Sequence, residues 1–164
     1  MIEPLFWGVV LTLFSVAGHI VGLVQLGQLL SFLMAPQLFA RDPLHRAMFL
    51  GVAVLLMILL HLAGAAVWAL AYYWVGEFHD FQTALYFSVV TATSLGYGDF
   101  TLSESWRLLA IFEAMSGLLL FGASTASVFQ LMVKILPDPL EPRLKTEVTE
   151  HKPRKPHAEP GDFQ

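Results

Sequence analysis

Residues 91–100 read TATSLGYGDF, from Thr91 through Gly96-Tyr97-Gly98 to Asp99 and Phe100. Three hydroxyl residues (Thr91, Thr93, Ser94) lead into two glycines around a tyrosine, and an acid follows. Glycine costs a helix interior roughly 1 kcal/mol relative to alanine, so this is where a helix stops. The surroundings are strongly apolar. The stretch therefore asks how a chain leaves a helix inside an environment without water.

Moving outward, charge is absent over long distances. There is none between Pro4 and Ala40, none between Ala47 and Gly76, and only Glu113 between Leu108 and Val133. A membrane helix needs about 20 apolar residues, and each stretch exceeds that. A fourth, from Phe81 to Leu95, is too short to cross and fits a segment that enters and leaves by one face. Apolar residues make up 56% of the 164 and charged residues 13%, about half the charged share usual in soluble proteins. The expected fold class is an all-α membrane protein: three transmembrane helices plus a re-entrant pore helix. There is no cysteine, which excludes disulfides, thiolate metal sites and cysteine nucleophiles.

The basic residues give a direction. Arg41 and Arg46 lie between the first two spans. Lys134, Arg143, Lys145, Lys152, Arg154 and Lys155 follow the third, leaving only Arg107 of the nine on the other side. The positive-inside rule then places the N-terminus outside and the C-terminus in the cytosol of a plasma or bacterial inner membrane. Trp7, Trp68, Tyr72, Tyr73, Trp74 and Trp106 are expected toward the outer interface. Glu3 stands where a signal peptide would carry a basic residue, so cleavage is not expected. Three segments follow: 1–46, a first span and cytosolic linker; 47–134, two spans with the re-entrant segment between them; and 135–164, a polar tail expected to be disordered. The tail holds six of the nine prolines and no ligand-binding domain.

At membrane depth, a backbone leaving its helix must find partners other than lipid. Asp80 is a suitable cap for a helix starting at Phe81, which would aim its carbonyl end at the membrane centre and favour a cation there. Glycines reach backbone angles closed to other residues, which lets successive carbonyls turn to one side. Several such strands around an axis form a column of oxygens able to replace a cation's water.

Thr91, Ser94, Leu95, Gly96, Tyr97, Gly98 and Asp99 resemble, in order, the T-x-x-T-x-G-Y-G-D signature of the tetrameric potassium channels, with serine for the second threonine. The layout is similar too, from Ala47 to about Lys134: span, short helix, filter, span. The resemblance implies a homotetramer in a lipid bilayer, conducting potassium passively, with neither nucleic acid nor a soluble ligand as partner. The carbonyls of Ser94, Leu95, Gly96 and Tyr97 would bind the dehydrated potassium ion, with the Ser94 hydroxyl at the inner end. Thr91 and Gly98 would support the filter, and Tyr97 would pack behind it. Asp99 would sit just outside, bonded by Tyr86, since Val90 stands where some members carry a glutamate. On the third span, Ala114, Leu118, Phe121 and Thr125 would line a cavity, with Val128 and Phe129 near the inner mouth. Gly117 and Gly122 are candidates for a gating hinge or for close helix packing.

Three ionisable residues fall within spans. Glu113 either supports the filter from behind, protonated and hydrogen-bonded, or lines the ion path; support is the preferred reading. His19 and His61 come to similar depth on antiparallel spans, where the imidazoles would share a hydrogen bond as helix glue or sense protons. Gly18, Gly22 and Gly27 would let the first span approach the second. That span lacks an arginine series, so it is no voltage sensor. The linker APQLFARDPLHR would follow the inner surface. Alternatives are a non-selective cation channel, a non-conducting subunit retaining the fold, or a membrane enzyme using Glu113, His19 and His61. The last is disfavoured, because no nucleophile or metal-ligand spacing accompanies these residues.

Overall fold

The computed structural model describes residues 2–33 and 43–135. Most of the linker, including Arg41, and the tail from 136 onward lie outside the described residues. Four helices follow one another: α1 (Ile2–Leu33), α2 (Pro43–Trp74), α3 (Phe81–Ala92) and α4 (Arg107–Ile135). No strand occurs among the described residues. The expected all-helical architecture is borne out, and α1, α2 and α4 are long and apolar enough to cross a membrane. At 32 residues, α1 and α2 are each about 48 Å long, against roughly 30 Å of hydrocarbon, so they tilt or project beyond it. Their outward faces carry Leu13, Phe14, Leu55 and Ile58, all more than half exposed on the chain. Apolar surface of this extent calls for lipid or neighbouring helices around it.

The short helix α3 packs on α2 and α4. Asp80 caps it: in extended backbone, with φ −137° and ψ 150°, it accepts the Thr83 N–H on Oδ1 at 2.8 Å. That bond holds the Asp80 carboxyl below its usual range, because it favours the charged form. Behind α3 lies the main core, Trp68, Ala69 and Tyr72 of α2 with Phe78, Ala84, Phe87 and Leu109. Tyr72 meets Phe87 edge-on, at 5.2 Å between ring centroids, a favoured aromatic geometry. A second cluster, Leu26, Leu30, Ala53 and Met57, joins the far ends of α1 and α2, with Val128 of α4 packed against it.

The first span does more than the sequence indicated. It packs on α4 as well as on α2. Gly22 leaves room for the Leu60 side chain, as expected for an approach to α2, while Gly18 and Gly27 face nothing within 4 Å. Gly8, which the sequence reading had passed over, abuts the ring of Phe112 on α4. The physical reason is the same at both glycines: a missing side chain lets a large neighbour seat against the backbone.

Candidate functional site

The end of α3 decides the local geometry. Thr93 caps the helix, and its Oγ1 donates to the carbonyls of Val89 (2.7 Å) and Val90 (3.2 Å). The next residues hang from the same turn: Ser94 N–H donates to Thr91 O at 2.9 Å and Leu95 N–H to Val90 O at 3.0 Å. The carbonyls released by the helix end are thus taken up by the hydroxyl and amides that follow, as a segment shielded from water requires.

Beyond this point φ alternates in sign. It is 58° at Ser94, 55° at Gly96 and 76° at Gly98, and negative at Leu95 and Tyr97 between them. For glycine a positive φ is free of steric cost; for serine it costs energy of the kind stored at functional sites. The sequence reading anticipated the two glycines and missed Ser94. Asparagine and aspartate are the usual non-glycine occupants of this region, so nothing in the serine announced it. Leu95 and Tyr97 are 56% and 66% exposed, so their own chain does not pack them.

Filter and helix are tied together just beyond. Tyr86 Oη donates to Asp99 Oδ2 at 2.7 Å. Val90, one turn further along α3, is buried. Across the mouth, Glu77 accepts both Ser103 N–H at 2.7 Å and Ser103 Oγ–H at 2.6 Å, which fixes the chain leaving the filter to the end of α2.

Glu113 is fully buried and lies at the junction of three helices. Tyr72 Oη of α2 donates to its Oε2 at 2.6 Å, and Ser88 of α3 contacts its Oε1. Ser88 Oγ also lies 2.7 Å from the Ala65 carbonyl. A serine has one hydroxyl proton. If it goes to Ala65 O, the Ser88 oxygen is an acceptor, and Glu113 must supply the proton between them. A neutral Glu113 fills all three contacts without sharing a proton. Tyr72, expected toward the outer interface, is instead fully buried on Glu113; Ser88 was not singled out from the sequence, where a serine inside an apolar helix was the available signal.

His19 and His61 do meet, with ring centroids 4.6 Å apart. No direct bond links them; both Nε2 atoms converge on Ser124 Oγ of α4, at 2.9 and 3.1 Å. One hydroxyl can donate to one imidazole while accepting from the other. The node therefore binds α1, α2 and α4 together, a connection the sequence did not disclose.

The α4 residues expected on one cavity face separate. Leu118 and Phe129 are more than half exposed, Thr125 is exposed, and Ala114 is half-buried. Phe121 is exposed as well, and its ring also stacks on His61, at 4.0 Å and 11°. Val128 turns toward the α1–α2 cluster. A flat π-contact and an apolar cluster on their own chain hold these two side chains. Gly117 is pressed against the end of α3, where an added methyl would collide with the Ala92 carbonyl, whereas Gly122 faces nothing within 4 Å. The packing reading thus has a partner at Gly117 and none on its own chain at Gly122.

The comparisons with known proteins fall on this module. A family model described as ion channel matches residues 56–134, just under half of the chain. The Voltage-gated potassium channel Kch of Escherichia coli (strain K12) is similar, 42% identical over 54 residues. That match covers 32% of this chain and only 13% of the relative's length. No solved structure matches at a significant level. The resemblance read from TATSLGYGDF is borne out at this level, since the matched segment contains all of it. Residues 56–134 are therefore similar to the ion channel family, within an all-helical, multi-pass membrane protein.

Proposed function

We propose that four copies of this chain assemble around a central axis into a passive, potassium-selective pore. One observation carries the reading: φ is positive at Ser94, Gly96 and Gly98, every second residue. In an extended strand successive carbonyls point to opposite sides. Alternating the handedness of the backbone turns them to the same side, so Ser94, Leu95, Gly96 and Tyr97 present a row of oxygens. One row is not a cage, because a dehydrated cation needs oxygens all round it. Fourfold closed symmetry supplies them and gives exposed Leu95 and Tyr97 a neighbouring chain to pack on. The similarity to a relative named as a potassium channel supports potassium as the permeant ion.

In this reading residues 47–134 are the pore domain and 1–46 a supporting span. The N-terminus lies outside, the basic C-terminal segment lies in the cytosol, and the pore performs no covalent chemistry. Thr91, Tyr86, Gly98, Asp99 and Glu113 hold the filter in shape. Leu118, Thr125 and Phe129 face the conduction path below it. The test is Gly96→Ala. A methyl there meets no atom of its own chain within 4 Å, so the obstacle is the left-handed backbone, which costs an L-residue about 1–2 kcal/mol in each subunit. Purified Gly96→Ala protein in liposomes is expected to lose potassium-selective flux. Flux equal to the parent's would overturn the reading.

A further inference from the structure

Most helical hydroxyls in this chain bond back to their own helix or to a neighbouring one, and of the buried ones only Ser15 and Thr12, the latter outside the cavity that Ser15 lines, lack a partner among the described residues. Ser31 donates to Gly27 O, Thr125 to Phe121 O and Ser127 to Ala123 O. Ser15 does not. The residue is 7% exposed, and its Oγ has no hydrogen-bond partner. It lines a cavity of about 190 Å³ between α1, α2, the end of α3 and α4, together with His19, His61, Trp68, Thr93 and Gly117.

The other polar groups of that wall are engaged. Both histidine Nε2 atoms are on Ser124, the Glu113 oxygens are on Tyr72 and Ser88, and Thr93 Oγ1 is on the α3 carbonyls. Ser116 Oγ donates to the Glu113 carbonyl. No lysine or arginine lines the cavity. What remains is hydrocarbon and aromatic wall, the Nδ1 edges of the two imidazoles and one buried hydroxyl without a partner. A buried hydroxyl without a partner is destabilising until something bonds to it. The space exceeds the roughly 150 Å³ apolar cavity known to accept benzene.

We propose that this cavity binds a small uncharged molecule with an apolar body and a single hydroxyl, of the size of an aryl alcohol. Its hydroxyl bonds Ser15 Oγ and its ring lies against Trp68. The chemistry follows from the wall: an anion would find no lysine or arginine, a cation would find the Glu113 oxygens already bonded, and a pure hydrocarbon would leave Ser15 unpaired. The site is separate from ion coordination, but it touches Thr93, where α3 hands over to the filter.

The experiment uses the full chain in lipid nanodiscs, with 3-bromobenzyl alcohol and 3-bromotoluene as probes. Bromine quenches tryptophan fluorescence on contact, and Trp68 reports from the wall. Saturable quenching by the alcohol is expected, with an affinity about fivefold above that of the isostere lacking the hydroxyl. Ser15→Ala should erase the difference between the two probes. Gly64→Leu, at a cavity position where a Cβ meets nothing within 4 Å, should abolish the saturable component for both. If Ser15→Ala does not fold, the probe pair on the parent decides. Quenching that rises linearly with both probes, equal affinity for the two, or a saturable component untouched by Gly64→Leu overturns the proposal. Current is not the readout, so the outcome is independent of the pore reading.

Discussion

The hydroxyl of Tyr86 on α3 donates to Oδ2 of Asp99, at 2.7 Å and across the whole Thr93–Gly98 stretch. The strand between them leaves α3 at Thr93 and is otherwise hung only on the last turn of that helix. The Tyr86–Asp99 bond therefore closes a loop around the residues with alternating φ. Both groups are exposed on their own chain.

Tyr86→Phe removes this closure with little loss of volume. Losing the bond tips the balance from an ordered toward a distorted loop. Currents from the variant are expected to decay faster under sustained recording at matched potassium. Time courses identical to the parent's would show that the bond does not hold the filter.

Glu113→Gln and Glu113→Leu are expected to differ. The glutamine amide can accept from Tyr72 and donate to Ser88, as a neutral carboxyl does, so its cost should stay below about 1 kcal/mol. Leucine leaves the buried Tyr72 hydroxyl without its partner, at about 1–3 kcal/mol. Thermal midpoints of the purified proteins in detergent measure both. Glutamine as damaging as leucine would mean that the three-helix junction needs a charged carboxylate.

Gly117→Ala should destabilise the chain by about 1–3 kcal/mol, because the obstructing atom is the backbone of Ala92 and cannot rotate away. Gly122→Ala, with open space around it on its own chain, is expected to leave the isolated subunit's stability within about 0.5 kcal/mol. The same thermal measurement reads both. Equal midpoints would show that α3 and α4 are less closely seated than the geometry indicates.

Much of the fold was legible from where charge is absent. The gaps before Ala40, before Gly76 and before Val133 located three spans, and Asp80 with the glycines bracketed the short helix between them. Rotation about the helix axes was not legible. A span facing lipid on one side and protein on the other is apolar all round, so no periodic stripe says which residues turn inward. That is why the stacking of Phe121 on His61 was not foreseen. It is also why Ser88 and Ser124 went unnoticed: each matters only because of what stands opposite it on another helix. The histidines were paired correctly by depth, since antiparallel spans of similar length fix depth. Their common partner depended on the packing of a third helix.

The reversal potential of the reconstituted protein probes the proposed pore most directly. Purified full-length chain is placed in a planar bilayer with potassium concentrated on one side and sodium on the other. The potential at zero current is expected to follow the potassium gradient and to shift with it as potassium is varied. A current that reverses near zero whichever cation is exchanged, or no current at all from well-folded tetramers, would contradict a potassium-selective pore.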